Sequence, residues 1–157
     1  MTVKIKPLIK QVGTALIVGA VSGLLTKNSV KSFGETAVQP SFAPPSWLFP
    51  VVWTVLFVLM GIASALVYMA DVPQEQKKSA LTLYGVQLAM NFLWSIVFFN
   101  FGAYLFAFVW LLALLAVIIA TAVKFRKISK PAAWMLIPYI LWVCFAGYLN
   151  FAIYLLN

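Results

Sequence analysis

The chain has 157 residues, of which 64% are hydrophobic and 9% charged, and its formal net charge is +8. Soluble domains carry about 25% charged residues, so this composition excludes an ordinary soluble fold and predicts an integral membrane protein in contact with the lipid bilayer. The basic residues lie in short runs between apolar segments, which indicates membrane orientation rather than nucleic-acid binding. There is no histidine and only one cysteine, Cys144, so we expect no disulfide within the chain and no metal site.

Five apolar segments predict an all-α membrane protein, a five-transmembrane-helix bundle that forms a single domain over residues 1–157. The segments cover residues 8–25, 47–70, 79–101, 103–123 and 132–156. Crossing about 30 Å of hydrocarbon takes about 20 residues, and in lipid each segment must be helical to satisfy its backbone. The first segment is the shortest, and the lysines before it are also typical of a signal peptide. The long connection, residues 26–46, is polar and rich in proline.

The distribution of lysine and arginine predicts the orientation. Alternate connections on one side carry nine basic residues, Lys4, Lys6, Lys10, Lys77, Lys78, Lys124, Arg126, Lys127 and Lys130. The other side carries only Lys27 and Lys31. We therefore expect a multi-pass protein of the cell inner membrane. Its N-terminus would lie in the cytoplasm, with the C-terminus and the loop of residues 26–46 outside.

Polar and aromatic residues follow one face of the third segment, within an arc of about 100°. They are Tyr84, Gln87, Asn91, Trp94, Ser95 and Phe98. Lipid offers glutamine and asparagine no partner, so this face is predicted to point into the bundle. The second and fifth segments contribute, at a similar depth, Trp53, Phe57, Trp142, Ala146 and Asn150. This convergence predicts a pocket beneath the loop of residues 26–46, although the same groups also suit plain contacts between helices.

Catalysis that depends on carboxylates is excluded by where the acidic residues lie. Glu35, Asp71 and Glu75 are the only acids, and all three fall in predicted connections. No charged residue lies deep in a predicted span, so the sequence lacks the groups that a proton relay, a voltage sensor or a carboxylate pair requires.

Three motifs resemble those of a known family. The segment from Pro40 to Trp47, followed by Trp53 and Met60-Gly61, resembles the P-S-W-x-P-P…W…M-G signature of the TspO/MBR family, the tryptophan-rich sensory proteins related to the mitochondrial translocator protein. The third-helix motif is matched by Leu83-Tyr84, Gln87-Leu88-Ala89, Asn91, Trp94 and Phe98-Phe99. The fifth-helix motif is matched by Pro138-Tyr139, Trp142, Phe145-Ala146 and Leu149-Asn150.

The resemblance implies a five-helix bundle, usually a homodimer, that requires no cofactor. Its expected ligands are tetrapyrroles such as protoporphyrin IX and haem, together with drug-like translocator-protein ligands, and its role would be sensory or regulatory. The implied ligand-binding residues are Trp53, Phe57, Asn91, Trp94, Ser95, Trp142, Ala146 and Asn150. Two alternatives stay open: light-dependent oxidative degradation of protoporphyrin IX, with Trp53 and Trp142 as the catalytic residues, and transport of tetrapyrroles or small apolar solutes.

The loop before the second helix departs from the family pattern. Where the family usually reads W-Y-x-x-L-x-K-P-S-W, this chain has Phe33, Gly34, Ala37, Gln39 and Phe42 at the corresponding places. A loop that lacks this tryptophan, tyrosine and lysine is expected to hold a porphyrin less tightly. The propionates of a porphyrin would instead need cations or amides near water, for which Lys27 and Lys31 are available.

Overall fold

Five long helices, named α1 to α5 in chain order, make up the computed structural model, which describes residues 3–157. Their bounds are α1 Ile5–Thr36, α2 Leu48–Met69, α3 Gln74–Ser95, α4 Tyr104–Ile128 and α5 Lys130–Leu156, and α3 continues as a π-helical turn, Ile96–Asn100. All five helices are long and apolar enough to cross a bilayer. The predicted all-α membrane fold with five spanning helices is thereby confirmed.

The first two helices run antiparallel and touch through their backbones. The start of α1 meets the end of α2, where the Lys4 N–H donates to Met69 Sδ at 3.1 Å. Farther along, the Ser64 hydroxyl lies 3.1 Å from Gln11 Oε1. A Cβ added to Gly61 would lie 2.5 Å from Val12 Cα, so only glycine allows this approach. This contact makes α1 an integral part of the bundle.

The first helix extends well beyond its predicted end at residue 25. It continues to Thr36, so the predicted loop of residues 26–46 is reduced to residues 37–47, which we call the strap. Hydropathy marks only the part of a helix that lies in lipid, and residues 26–36 are polar but contain no proline to end the helix. Phe33 also anchors this extension, because its ring packs edge-on against Phe98 and Phe99 at 5.4 Å.

The bounds of α2 and α5 lie within two residues of the prediction, whereas α3 begins five residues earlier, at Gln74, and α4 ends five residues later, at Ile128. Gly102 joins the π-helical turn to α4 with a φ of 59°, a conformation that favours glycine. The helices on either side are antiparallel neighbours, and the Trp110 indole of α4 donates to the Met90 carbonyl of α3 at 2.9 Å. Ser129 caps α5 by accepting the Ala132 N–H at 3.4 Å.

The bundle therefore has two chemically different ends. The basic end holds the start of α1 and the α2–α3 and α4–α5 connections, with the nine basic residues named above. The strap end holds the end of α1, the strap, the α3–α4 turn and the end of α5. Which end faces the cytoplasm stays a prediction.

Candidate functional site

Two of the predicted tryptophans meet between α2 and α5. The Trp53 and Trp142 rings are 6.5 Å apart between centroids and nearly perpendicular, at 87°. Other rings surround this pair at centroid distances of 5.5 to 6.2 Å: Phe49, Phe57, Tyr139 and Phe145. We call these six side chains the tryptophan cluster. Edge-to-face aromatic pairs of this kind are attractive beyond the area that they bury.

One polar atom of the tryptophan cluster has no partner. The Trp142 Nε1–H is buried and makes no hydrogen bond to any of residues 3–157. An unmet donor in an apolar interior costs about 1–3 kcal/mol, and most buried donors are paired. The indole therefore offers a donor to any acceptor that enters the cluster.

Asn91 lies beside the tryptophan cluster but is already engaged. Its Nδ2 donates to the Tyr139 hydroxyl at 2.7 Å, and that hydroxyl donates to Gln87 Oε1 at 2.8 Å. Gln87 Nε2 in turn lies 3.9 Å from Met60 Sδ. These bonds join α2, α3 and α5 deep in the bundle. In this structure Asn91 thus serves as a contact between helices.

Trp94 and Asn150 belong to a second aromatic group at the strap end. The Trp94 indole donates to Asn150 Oδ1 at 3.2 Å, and Asn150 Nδ2 donates to the Tyr104 carbonyl at 2.9 Å. Trp94 also stacks on Phe98 with centroids 5.2 Å apart. These bonds tie α3, α4 and α5 together where α4 begins.

The other predicted site residues lie near these two groups. Ala146 is buried one turn beyond Trp142 on α5, and Ser95 is the half-buried last residue of α3. The Phe57 ring covers Gly19 of α1, where an added Cβ would lie 2.7 Å from the ring. Six of the eight predicted residues thus divide between three groups: Trp53, Phe57 and Trp142 in the tryptophan cluster, Asn91 in the Gln87–Tyr139–Asn91 network, and Trp94 and Asn150 in the group at the strap end. Ser95 and Ala146 belong to none of them.

Sequence reasoning did not assign Tyr139, Gln87 and Phe49 to the site. Gln87 and Asn91 lie one turn apart on the same polar stripe, which was a usable signal. Tyr139 lies three residues before Trp142, and residues at this spacing share a helix face. Phe49 carried no signal, because an apolar residue near the start of a span is equally suited to facing lipid.

Two surface cavities lie away from the tryptophan cluster. One, of about 360 Å³, opens between α1 and α3, where Val18, Gly85 and Ala89 are among its lining residues. The other, of about 520 Å³, lies at the strap end between the α3–α4 turn and the end of α5, bordered by Tyr104, Tyr154 and Asn157. Within the cluster the rings contact one another at centroid distances of 5.5 to 6.5 Å.

Comparison with known proteins identifies the family. The sequence profile of the TspO/MBR family matches residues 11–156. The chain belongs to the TspO/MBR family. This TspO/MBR protein is 39% identical to the tryptophan-rich protein TspO of Chlorobaculum tepidum over 146 residues, which are 93% of this chain and 92% of that one. It is 37% identical to the tryptophan-rich protein TspO of Archaeoglobus fulgidus over 150 residues, 96% of each chain.

Similarity also extends to eukaryotic members of the family. The translocator protein of Ovis aries is 36% identical over 115 residues, which cover 72% of this chain and 68% of that protein. The membership predicted from the three motifs is therefore confirmed, as is the membrane-embedded character of the chain.

Proposed function

We propose that this TspO/MBR protein binds tetrapyrroles, such as protoporphyrin IX or haem, in the tryptophan cluster and acts as a membrane sensor or regulator. The observation that carries the proposal is the Trp53–Trp142 pair with its unpartnered Trp142 N–H. A porphyrin is a flat, largely apolar ring with polar edges. Indole faces suit stacking on such a ring, and a buried N–H suits an acceptor on it.

The position of the basic residues at the strap end supports the same ligand class. Lys27 and Lys31 lie on the polar extension of α1 and are exposed. Porphyrin propionates would remain near water at that end, where lysines can pair with them. The chain has no histidine, so binding of haem would depend on stacking rather than on a histidine–iron bond.

Removing the two clustered tryptophans is the direct test of this function. We expect Trp53→Ala and Trp142→Ala each to weaken binding of protoporphyrin IX about tenfold, because a lost aromatic contact is worth about 0.5–1.5 kcal/mol beyond its buried area. The measurement is the shift of the porphyrin absorption band during titration of the protein in lipid nanodiscs. This readout does not depend on the number of tryptophans left.

Matched controls come from the same residue type. Trp47 and Trp134 are 65% and 70% exposed, and Trp47→Ala and Trp134→Ala should bind as the unmodified protein does. A double variant of Trp53 and Trp142 that keeps its full affinity would refute the assignment of the site.

We propose further that the basic end faces the cytoplasm of a bacterial inner membrane. The nine basic residues at that end, against two at the strap end, support this orientation. An alkaline phosphatase fused after Asn157 is expected to be active, because that enzyme matures only outside the cytoplasm. The same fusion placed in the α2–α3 connection should be inactive. If instead a C-terminal reporter that functions only in the cytoplasm proved active, the orientation would be the opposite one.

A further inference from the structure

A buried hydroxyl without a partner lies outside the tryptophan cluster, in the half of the bundle nearer the basic end. Tyr84 of α3 is 6% exposed, and its hydroxyl oxygen makes no hydrogen bond to any of residues 3–157. The ring packs against the Phe125 ring of α4 with centroids 5.9 Å apart. Most buried polar groups in folded proteins are paired, so this hydroxyl indicates a partner that the chain itself does not supply.

Polar groups of α1 and α2 lie beside this hydroxyl. Ser64 is fully buried, and its Oγ lies 3.1 Å from Gln11 Oε1 of α1 and 3.0 Å from the Gly61 carbonyl. A hydroxyl has one proton and two acceptor lone pairs, so Ser64 Oγ can still accept a hydrogen bond whichever of the two oxygens receives its proton. The Tyr84 hydroxyl approaches Ser64 but does not hydrogen-bond to it directly. Three helices thus place polar groups around one point.

The side chains of Gln11, Ser64 and Tyr84, which we call the polar triad, are separate from the tryptophan cluster. On α2, Ser64 lies 11 positions after Trp53, which is about 16 Å along the axis at about 1.5 Å per residue. Ser64 lies only five positions before Met69, the last residue of α2 at the basic end. Gln11 likewise lies near the start of α1. The polar triad therefore forms a second polar site, nearer the basic end.

We propose that the polar triad binds one water molecule at the junction of α1, α2 and α3. The Tyr84 hydroxyl donates to the water oxygen, the water donates to Ser64 Oγ, and the Gln11 amide beside Ser64 is the third partner. Buried water molecules make about three hydrogen bonds, and the triad offers that number. None of the three side chains is charged, so the site favours a neutral molecule over an ion. The water joins α3 to the close contact of α1 and α2 at Gly61.

Water-edited solid-state NMR of the protein in lipid bilayers tests for this water directly. The tyrosines are labelled with ¹³C at Cζ, and the experiment measures how fast magnetisation passes from water protons to each ring. The Tyr84 signal is assigned by its absence from the spectrum of Tyr84→Phe. We expect this signal to grow severalfold faster than that of a buried tyrosine without bound water, because the water touches the Tyr84 hydroxyl.

Tyr139 is the matched control within the same protein. It is 1% exposed, and its hydroxyl accepts from Asn91 and donates to Gln87, so both of its hydrogen bonds are made within the protein. Its signal should grow slowly. Equal rates for Tyr84 and Tyr139 would overturn the proposal, and a direct bond between Tyr84 and Ser64 would give that result. The measurement involves no porphyrin, so its outcome is independent of the proposed function.

Tyr84→Phe supplies a second test, because the sign of its effect separates a bound hydroxyl from an unpaired one. A hydroxyl bonded to water stabilises the fold, so its removal should raise the equilibrium constant of unfolding in SDS about fivefold, as the loss of one hydrogen bond does. Removal of an unpaired hydroxyl would leave that constant unchanged or lower it, and either result would refute the proposal. Tyr68→Phe is the control. Tyr68 is 47% exposed near the same end of α2, so this variant should stay within about twofold of the unmodified protein.

Discussion

Gly61→Ala is expected to lower the free energy of unfolding by about 3 kcal/mol, since inserting a methyl group into a filled contact costs about 1–3 kcal/mol and sometimes more. The new Cβ would lie 2.5 Å from Val12 Cα and 2.9 Å from Val12 N. Both are backbone atoms of α1, so no side-chain rotation relieves the contact and the two helices must separate. Unfolding of the detergent-solubilised protein by SDS, followed by circular dichroism, measures the change.

Gly13→Ala is the control for this variant. Gly13 lies next to Val12 on α1, yet a Cβ there would meet nothing within 4 Å. Alanine also favours helix over glycine by about 1 kcal/mol, so this variant should be as stable as the unmodified protein or slightly more so. Equal stability of Gly61→Ala and Gly13→Ala would contradict the close approach of α1 and α2.

Tyr139→Phe is expected to destabilise the bundle by about 2 kcal/mol or more, because it leaves two buried atoms, Asn91 Nδ2 and Gln87 Oε1, without a partner and each costs about 1–3 kcal/mol. The hydroxyl accepts from Asn91 and donates to Gln87. The ring, which packs edge-on against Trp53 at 6.2 Å, is retained. Removal of the hydroxyl alone therefore tests the hydrogen bonds rather than the packing. The same SDS titration gives the magnitude.

Tyr148→Phe serves as its control on the same helix. Tyr148 is 65% exposed, and its contact with Phe42 is made by the ring. This variant should remain within about 0.5 kcal/mol of the unmodified protein, as surface changes usually do. If both variants lost the same stability, the Gln87–Tyr139–Asn91 network would have no special role.

The sequence largely predicted which residues face the interior of the bundle, but it did not predict which hydrogen-bond partners they meet there. The 3.6-residue period placed Gln87, Asn91 and Trp94 on one inward face of α3, and the structure does turn that face towards α5. Several polar groups on α5 lie within reach of such a face. Asn91 meets Tyr139, while Trp94 meets Asn150. Small rotations of a helix and the choice of side-chain rotamers decide between such pairings. The spacing of residues in the sequence predicts neither of them.

The end of α1 was likewise only partly predictable from the sequence. Hydropathy located the part of this helix that crosses the lipid, because apolar residues are needed only there. The polar extension to Thr36 depends on contacts with distant residues, above all the packing of Phe33 on Phe98 and Phe99. The path of the strap has the same origin, since it follows from the pairing of Val38 with Asn157, 119 positions away in the chain.

The sequence by itself determined the membrane class, the five spanning helices and the family, because lipid imposes length and hydropathy on every span and the motifs are contiguous in the chain. Only the tertiary structure decided that Trp53 and Trp142 form one cluster with an unpartnered Trp142 N–H. It alone also showed that Asn91 is occupied by Tyr139 and that Asn157 holds the strap. Each of these depends on how separate helices rotate and pack against one another, and that arrangement minimises the free energy of the whole bundle rather than of any one segment.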